Sequence, residues 1–184
     1  NEFKERQLLT TSCCPSFVAY IEKNFPDLAK YISHSVSPMV EVGLLIKRSD
    51  PTAKVVFIGP CSSKKKEYKL AKTKGAIDSV MSFEELQAFL DARNIDTTAM
   101  DDTELNNASF YGRIFAKSGG IAQGITEMGA EMGVDNINPV AMNGLDECKM
   151  NLLKLRVGKS PYNFFEGMAC EGGCLNGPLC ITHS

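Results

Sequence analysis

Lys54-Val55-Val56-Phe57-Ile58-Gly59-Pro60-Cys61-Ser62-Ser63-Lys64-Lys65-Lys66-Glu67 passes from a β-branched run, through a glycine–proline turn, to a cysteine and then into a charged stretch. Residues 54–58 predict a short buried strand. The polar stretch from Ser62 to about Thr73 predicts a helix, with Ser62 or Ser63 as its N-cap. Cys61 therefore sits on the turn that leaves a strand. In α/β folds ligand sites lie beyond the carboxyl ends of strands.

The same alternation recurs along the chain. Ile77 to Met81, Asn138 to Met142 and Phe164 to Met168 are further strand candidates. Helices are predicted from Pro15, with Phe17, Val18, Tyr20 and Ile21 at helical spacing, and from Pro26 to Ile32. A third runs from Ser37-Pro38, with Met39, Val40, Val42, Leu44, Leu45 and Ile46 apolar, until Asp50-Pro51 ends it. Ser82 reads as an N-cap, with Glu84 and Glu85 in the first turn of a helix to about Arg93. Two more run from Ser118-Gly119-Gly120 to about Met132 and from Leu145 to about Leu155. Residues 95–112 read as an irregular surface loop. Strands alternating with helices predict an α/β fold, mainly parallel sheets flanked by helices.

The 184 residues suit one domain or two small lobes, and 43% hydrophobic residues suffice for a core. A net charge of -2 gives no reason to expect nucleic acid or an anionic membrane as partner. No apolar run approaches the roughly 20 residues that span a bilayer, and nothing near Asn1 resembles a secretion signal. The chain starts without Met and ends soon after a cysteine-rich segment, so a piece of a longer polypeptide is expected. The seven cysteines are odd in number, and without a secretion signal they favour metal or redox chemistry over disulfides. Cys148, isolated from the rest, reads as a buried structural thiol.

The other cysteines fall into three motifs, at Cys13-Cys14-Pro15, at Cys61, and at Cys170-Glu171-Gly172-Gly173-Cys174. Cys170 and Cys174 are close enough to hold one metal centre from a single turn, and Gly172 and Gly173 let the backbone approach it. Cys61 makes three ligands. Neighbours on extended backbone point to opposite sides, so either one of Cys13 and Cys14 is incidental or the two have different tasks, and one of them would complete a set of four. Four thiolates suit an iron–sulfur cluster, and zinc as well. Lys64 adds a second clue. A cation in the first turn opposes the helix dipole by roughly 0.3–1 kcal/mol. It is either part of a solvated charge run or the partner of an anion. It shares a helical face with Cys61 three residues before it, and Glu67 three residues after it is placed to pair with it or with a neighbouring lysine.

Thr11–Phe17 (TSCCPSF), Gly59–Glu67 (GPCSSKKKE) and Glu166–Cys174 (EGMACEGGC) resemble the three signature motifs of the iron-only, or [FeFe], hydrogenases. The resemblance implies two lobes with the cluster site between them, and reversible reduction of two protons by two electrons to H2. It implies an H-cluster, a [4Fe-4S] cubane joined through a cysteine sulfur to a two-iron subcluster that carries CO, cyanide and a dithiolate. By motif position Cys14, Cys61, Cys170 and Cys174 would hold the cubane, with Cys174 bridging. Cys13 would pass protons, and Lys64, with Glu67 beside it, would meet a cyanide. Ser33 falls at a hydroxyl of the proton route, and Pro38 and Met39 fall in the segment near the second cyanide. Phe115, Ser118-Gly119-Gly120 and Met168 would line the pocket.

The implied partners are H2 and protons, a ferredoxin or other iron–sulfur electron carrier, and maturation proteins, without nucleic acid or membrane. Without those maturation proteins the chain is expected to be unloaded. The implied setting is the cytoplasm of an anaerobic bacterium. Gly59 replaces the usual Met of the second motif and Phe17 the usual Trp of the first. Met39 replaces a common Gln, and Leu175-Asn176-Gly177-Pro178-Leu179-Cys180 replaces a glycine-rich run. These departures resemble divergent branches to which H2 sensing is ascribed. The ferredoxin-like region and the segment before Thr11 that supplies an acidic proton-route residue are expected to be missing. Non-catalytic iron–sulfur relatives of the same fold, with cluster assembly or interaction roles, typically lose the residues at Cys13 and Lys64. Both are present here, which favours the hydrogenase.

Overall fold

The computed structural model describes residues 2–105 and 108–182. The helices are α1 (Glu2–Arg6), α2 (Pro15–Asn24), α3 (Pro38–Ser49), α4 (Lys64–Glu67), α5 (Phe83–Asp91), α6 (Phe110–Ile114), α7 (Gly120–Glu131) and α8 (Leu145–Arg156). The strands are β1 (Leu9–Thr10), β2 (Val56–Ile58), β3 (Ser79–Met81), β4 (Pro139–Asn143) and β5 (Phe164–Met168). They form two parallel sheets, one of order β1-β5-β4 and one of β2 with β3. The predicted α/β class, with helices flanking parallel sheets, is the observed one.

The first lobe is built on β5, whose five residues are all buried. Alternate side chains point to opposite faces. Phe165 joins Phe17 and Ile21 of α2 and Cys148 and Leu152 of α8 in one core, while Phe164 and Met168 join Leu9 and Ile121 of α7 in another. Gly167 lets the Phe17 ring lie on the strand, because a Cβ there would stand 2.3 Å from it. Cys148 is fully buried, as its isolation predicted.

The second lobe is thinner. Met39 and Val40 of α3 pack against Val55, Ala76, Ile77 and Val80 on one face of the two-stranded sheet. On the other face Val56 is 46% and Ile58 39% exposed, so the strand expected to be buried is buried on one side only. Val42, Leu45 and Ile46 of α3 are likewise exposed, and α5 buries none of its residues. Ser82 forms the expected N-cap, as a full capping box with Glu85.

Three further expectations are corrected. The helix predicted over 62–73 divides into α4 and a 3-10 turn, Ala71–Thr73, because the Thr73 hydroxyl takes the Glu67 carbonyl. Ser63 is the N-cap residue as predicted, but its hydroxyl bonds that of Ser16 and makes no cap hydrogen bond among the described residues. The predicted loop over 95–112 contains a 3-10 turn capped by Asp96 and the start of α6 capped by Ser109; residues 106 and 107 lie outside the described residues. Strand β1 was not foreseen. Among the described residues no helix is long and apolar enough to cross a membrane.

Candidate metal-cluster site

One cavity between the lobes is lined by Cys13, Cys14, Cys61, Lys64, Met168, Cys170 and Cys174. Each motif reaches it on a turn fixed by backbone contacts. Thr11 N–H extends the ladder to Phe165 O at 2.9 Å, and Cys14, on extended backbone, precedes Pro15 at the start of α2. Gly59 N–H bonds Met81 O at 3.0 Å, so the Cys61 turn continues the β2–β3 pairing. Cys174 N–H donates to Ala116 O at 2.7 Å. Gly173 has φ +77°, and a Cβ there would stand 2.6 Å from Ala116 O. Pro60 O accepts from Leu179 N–H at 3.1 Å, which clasps the third motif to the second.

Lys64 is 7% exposed, and its ammonium donates to Glu67 Oε2 at 2.6 Å and to Cys13 O at 3.1 Å. The i,i+3 pairing predicted with Glu67 is therefore present. An ammonium has three donors, so these two bonds leave one N–H uncommitted among the described residues, on a side chain that lines the cavity. Glu166 is fully buried and accepts Gly119 N–H at 2.9 Å and Ala122 N–H at 2.7 Å. It thereby caps α7, whose N-cap Gly119 has no side chain to do so. Burial raises the Glu166 pKa, while these hydrogen bonds pull the other way.

Burial also governs the thiols. It pushes Cys13 up to about 12, helped by Cys14 and opposed by a hydrogen bond with Thr11 and by Lys64. Cys174 is pushed up to about 11 by burial and then by Cys14 and Cys61, and Cys170 is raised for the same first reason. All seven cysteines are free. Among the described residues no three His, Cys, Asp or Glu side chains converge as ligands of a single ion. Zinc would draw its thiolates to about 2.3 Å from one point, whereas a cubane takes each thiolate on a separate iron. Five cysteines line the cavity, and four thiolates distributed round it suit a cluster.

The remaining expected residues lie outside the cavity wall. Phe115, like Cys13, Cys14 and Cys174, packs against the core cluster of Phe3, Leu9, Ile121, Phe164 and Met168. Pro38 opens α3, and Met39, 5% exposed, lies in the core of the second lobe. Next to them the Ser37 hydroxyl is buried and, like that of Thr10, has no hydrogen-bond partner among the described residues. Ser33 donates to Glu2 Oε2 at 2.7 Å, and the same carboxylate receives His34 N–H at 3.0 Å and the Arg6 guanidinium. Burial would raise Glu2, but these bonds outweigh it and hold its pKa low. Ser33 thus has an acidic neighbour that sequence reasoning missed; the i,i+4 pair of Glu2 and Arg6 was the signal available. Cys180 lies behind the third motif, its thiol donating to Leu175 O at 3.0 Å.

A parallel α/β frame that brings five cysteines and a buried lysine to one cavity has the ligand set of an iron–sulfur type of protein. The particular family follows from comparison: residues 1–178 match the iron only hydrogenase large subunit, C-terminal domain, and the chain belongs to that family. It is similar to the periplasmic [Fe] hydrogenase large subunit of Nitratidesulfovibrio vulgaris, at 27% identity over 91% of this chain and 50% of that protein. It is also similar to the cytosolic Fe-S cluster assembly factor NAR1 of Kluyveromyces lactis, at 36% identity over 48% of this chain and 19% of that one. The fold matches HydA1, an [FeFe]-hydrogenase from Chlamydomonas reinhardtii, with TM-score 0.74 and 21% identity, over 96% of this chain and 62% of that one. The chain thus spans half or less of the length of these curated relatives.

Proposed function

We propose that this chain forms the H-cluster part of an iron-only hydrogenase, which interconverts protons and H2 either as a catalyst or as a sensor. The observation that carries this reading is Lys64, a buried ammonium at the cavity wall with one donor uncommitted, beside the Cys13 thiol. Cys14, Cys61, Cys170 and Cys174 would hold the cubane. The bound cluster would supply electron storage and the metal at which H2 is made or split. Cys13, protonated at neutral pH because of its burial, holds a proton at Sγ within the cavity wall and is the group placed to give and retake it. Lys64, steadied by Glu67, offers its free N–H to an anionic ligand such as cyanide, and the Ser37 hydroxyl beside Pro38 offers a second donor. Ser33 and Glu2 form a hydroxyl–carboxylate pair toward solvent that suits proton exchange.

The second reading is an iron–sulfur protein without hydrogenase chemistry, favoured by the 36% identity to a cluster assembly factor over about half of the chain. Infrared spectroscopy separates the two. The full-length protein, made without oxygen and together with hydrogenase maturation proteins, is expected to show bands of iron-bound CO and cyanide that disappear in Cys174→Ala and weaken or shift in Lys64→Ala. A fully loaded cubane without such bands would establish the second reading.

A further inference from the structure

We infer that Glu166 is a positioning residue for Cys174, acting through the turn that precedes α7. This rests on the reading of a cubane held by four cysteines, and not on H2 chemistry. Three of those cysteines, Cys14, Cys61 and Cys170, lie within four residues of the ends of β1, β2 and β5. Cys174 lies further from its strand, and its link to Cys170 passes through Gly172 and Gly173, at φ +79° and +77°. Two glycines in succession resist bending least. What places Cys174 is contact with the turn over residues 115–119. Cys174 N–H donates to Ala116 O at 2.7 Å, and Lys117 forms an antiparallel bridge with Gly173. Gly173 lies so close that a Cβ there would stand 2.7 Å from Ser118 N.

The turn belongs to neither sheet, so its own position depends on what grips it. It is folded tightly: Lys117 N–H bonds Ile114 O at 3.0 Å, and a Cβ on Gly120 would stand 1.9 Å from that same oxygen. A displacement at one end therefore carries to the other. The end next to α7 is held by Glu166, which takes Gly119 N–H on one carboxylate oxygen and Ala122 N–H on the other. A Ser, Asn or Asp at the N-cap would satisfy the helix without a buried carboxylate. Such a cap ties a helix only to itself. Here the N-cap is Gly119, without a side chain, and the acceptor comes from β5 instead. The helix start and the turn are thereby tied to the strand. β5 places two ligands, Cys170 by running into it and Cys174 by way of Glu166, Gly119 and Ala116.

The test uses the full-length protein, purified without oxygen and carrying its cubane, with two readouts. One is the electron paramagnetic resonance spectrum of the reduced cubane, and the other is the rate at which the ferrous chelator bathophenanthroline disulfonate removes iron. In Glu166→Gln the spectrum is expected to shift and iron to leave about tenfold faster, the scale on which groups that orient a ligand affect metal retention. Glu166→Asp keeps the charge but is one methylene too short to span both N–H groups, and is expected to shift both readouts in the same direction. The control is Leu28→Ala, in the first core, whose urea midpoint is expected to fall at least as far and whose cubane is expected to behave as wild type. Wild-type readouts in Glu166→Gln would overturn the inference. A change in Glu166→Gln but none in Glu166→Asp would overturn it too, by showing that charge alone matters. Equal changes in Leu28→Ala would do the same, by showing general loosening. Infrared spectra of the same samples judge the hydrogenase reading separately. A cubane without CO or cyanide bands, still perturbed in both Glu166 variants and not in the control, would refute that reading and uphold the role of Glu166.

Discussion

The two lobes hold their share of the site by different means. In the first, β5 is buried along its whole length, and Cys170 and Cys174 leave directly from its end. In the second, β2 is covered on one face, and the turn that carries Cys61 and Lys64 is held instead by polar contacts: Pro60 O accepts from Leu179 N–H, and Lys64 pairs with Glu67 on its own helix and donates to Cys13 O. Packing fixes one half of the site and polar contacts fix the other. The cavity therefore keeps a rigid wall facing one whose position depends on a few named bonds.

The contrast is broken most forcefully by truncation. Phe165→Ala removes a fully buried ring from the first core and is expected to cost about 3–5 kcal/mol in urea unfolding. Val56→Ala, on the uncovered face of β2, is expected to stay within about 0.5 kcal/mol. Comparable losses at both positions would mean that the open face is covered in solution.

A slightly smaller effect is expected from the ion pair that substitutes for packing in the second lobe. Glu67→Ala leaves the Lys64 ammonium buried with the Cys13 carbonyl as its remaining partner among the described residues, and about 3 kcal/mol of destabilisation is expected. The double variant Lys64→Met/Glu67→Leu is expected to regain most of it, because two apolar chains need no partners. If the double variant melts as low as Glu67→Ala, the pair is not what holds this wall.

Glu166→Gln, with an expected loss of about 2 kcal/mol, sharpens the comparison from the side of the first lobe. The amide oxygen accepts one of the N–H groups of Gly119 and Ala122, and the amide NH2 then faces the other. Hydrogen exchange at the start of α7 is the measurement, and faster exchange confined to residues 119–122 is expected.

Legibility in sequence followed the same division. The cysteine turns were visible because their residue types are rare and their motifs are local, and Lys64 with Glu67 because i,i+3 is a local relation. Strand β1 is two residues long, too short to show alternation, and exists through pairing with Phe164 and Phe165 far along the chain. The Glu166 cap joins residues 44 and 47 positions apart, and Ser33 meets Glu2 across 31, separations at which no spacing rule operates. The run at Val55–Ile58 misled because an apolar run states what a strand can bury, and the neighbouring elements decide whether each face is covered.

The last expected effect is a pH dependence, and it belongs to the metal-free protein. Burial holds the Cys148 thiol up to about 12, against an ordinary value of 9.0. As pH rises through 9 the unfolded chain gives up this proton while the folded chain keeps it, so stability falls by at most about 1.4 kcal/mol per pH unit until the folded thiol ionises. Cys13 and Cys174 add to the same slope, through folded values of about 12 and about 11. Urea midpoints between pH 8 and pH 11 are therefore expected to decline, and Cys148→Ala, though less stable throughout from its cavity, to decline less steeply. An unchanged slope in Cys148→Ala would show that this thiol ionises alike in both states, and that the core of the first lobe admits water where its packing says it does not.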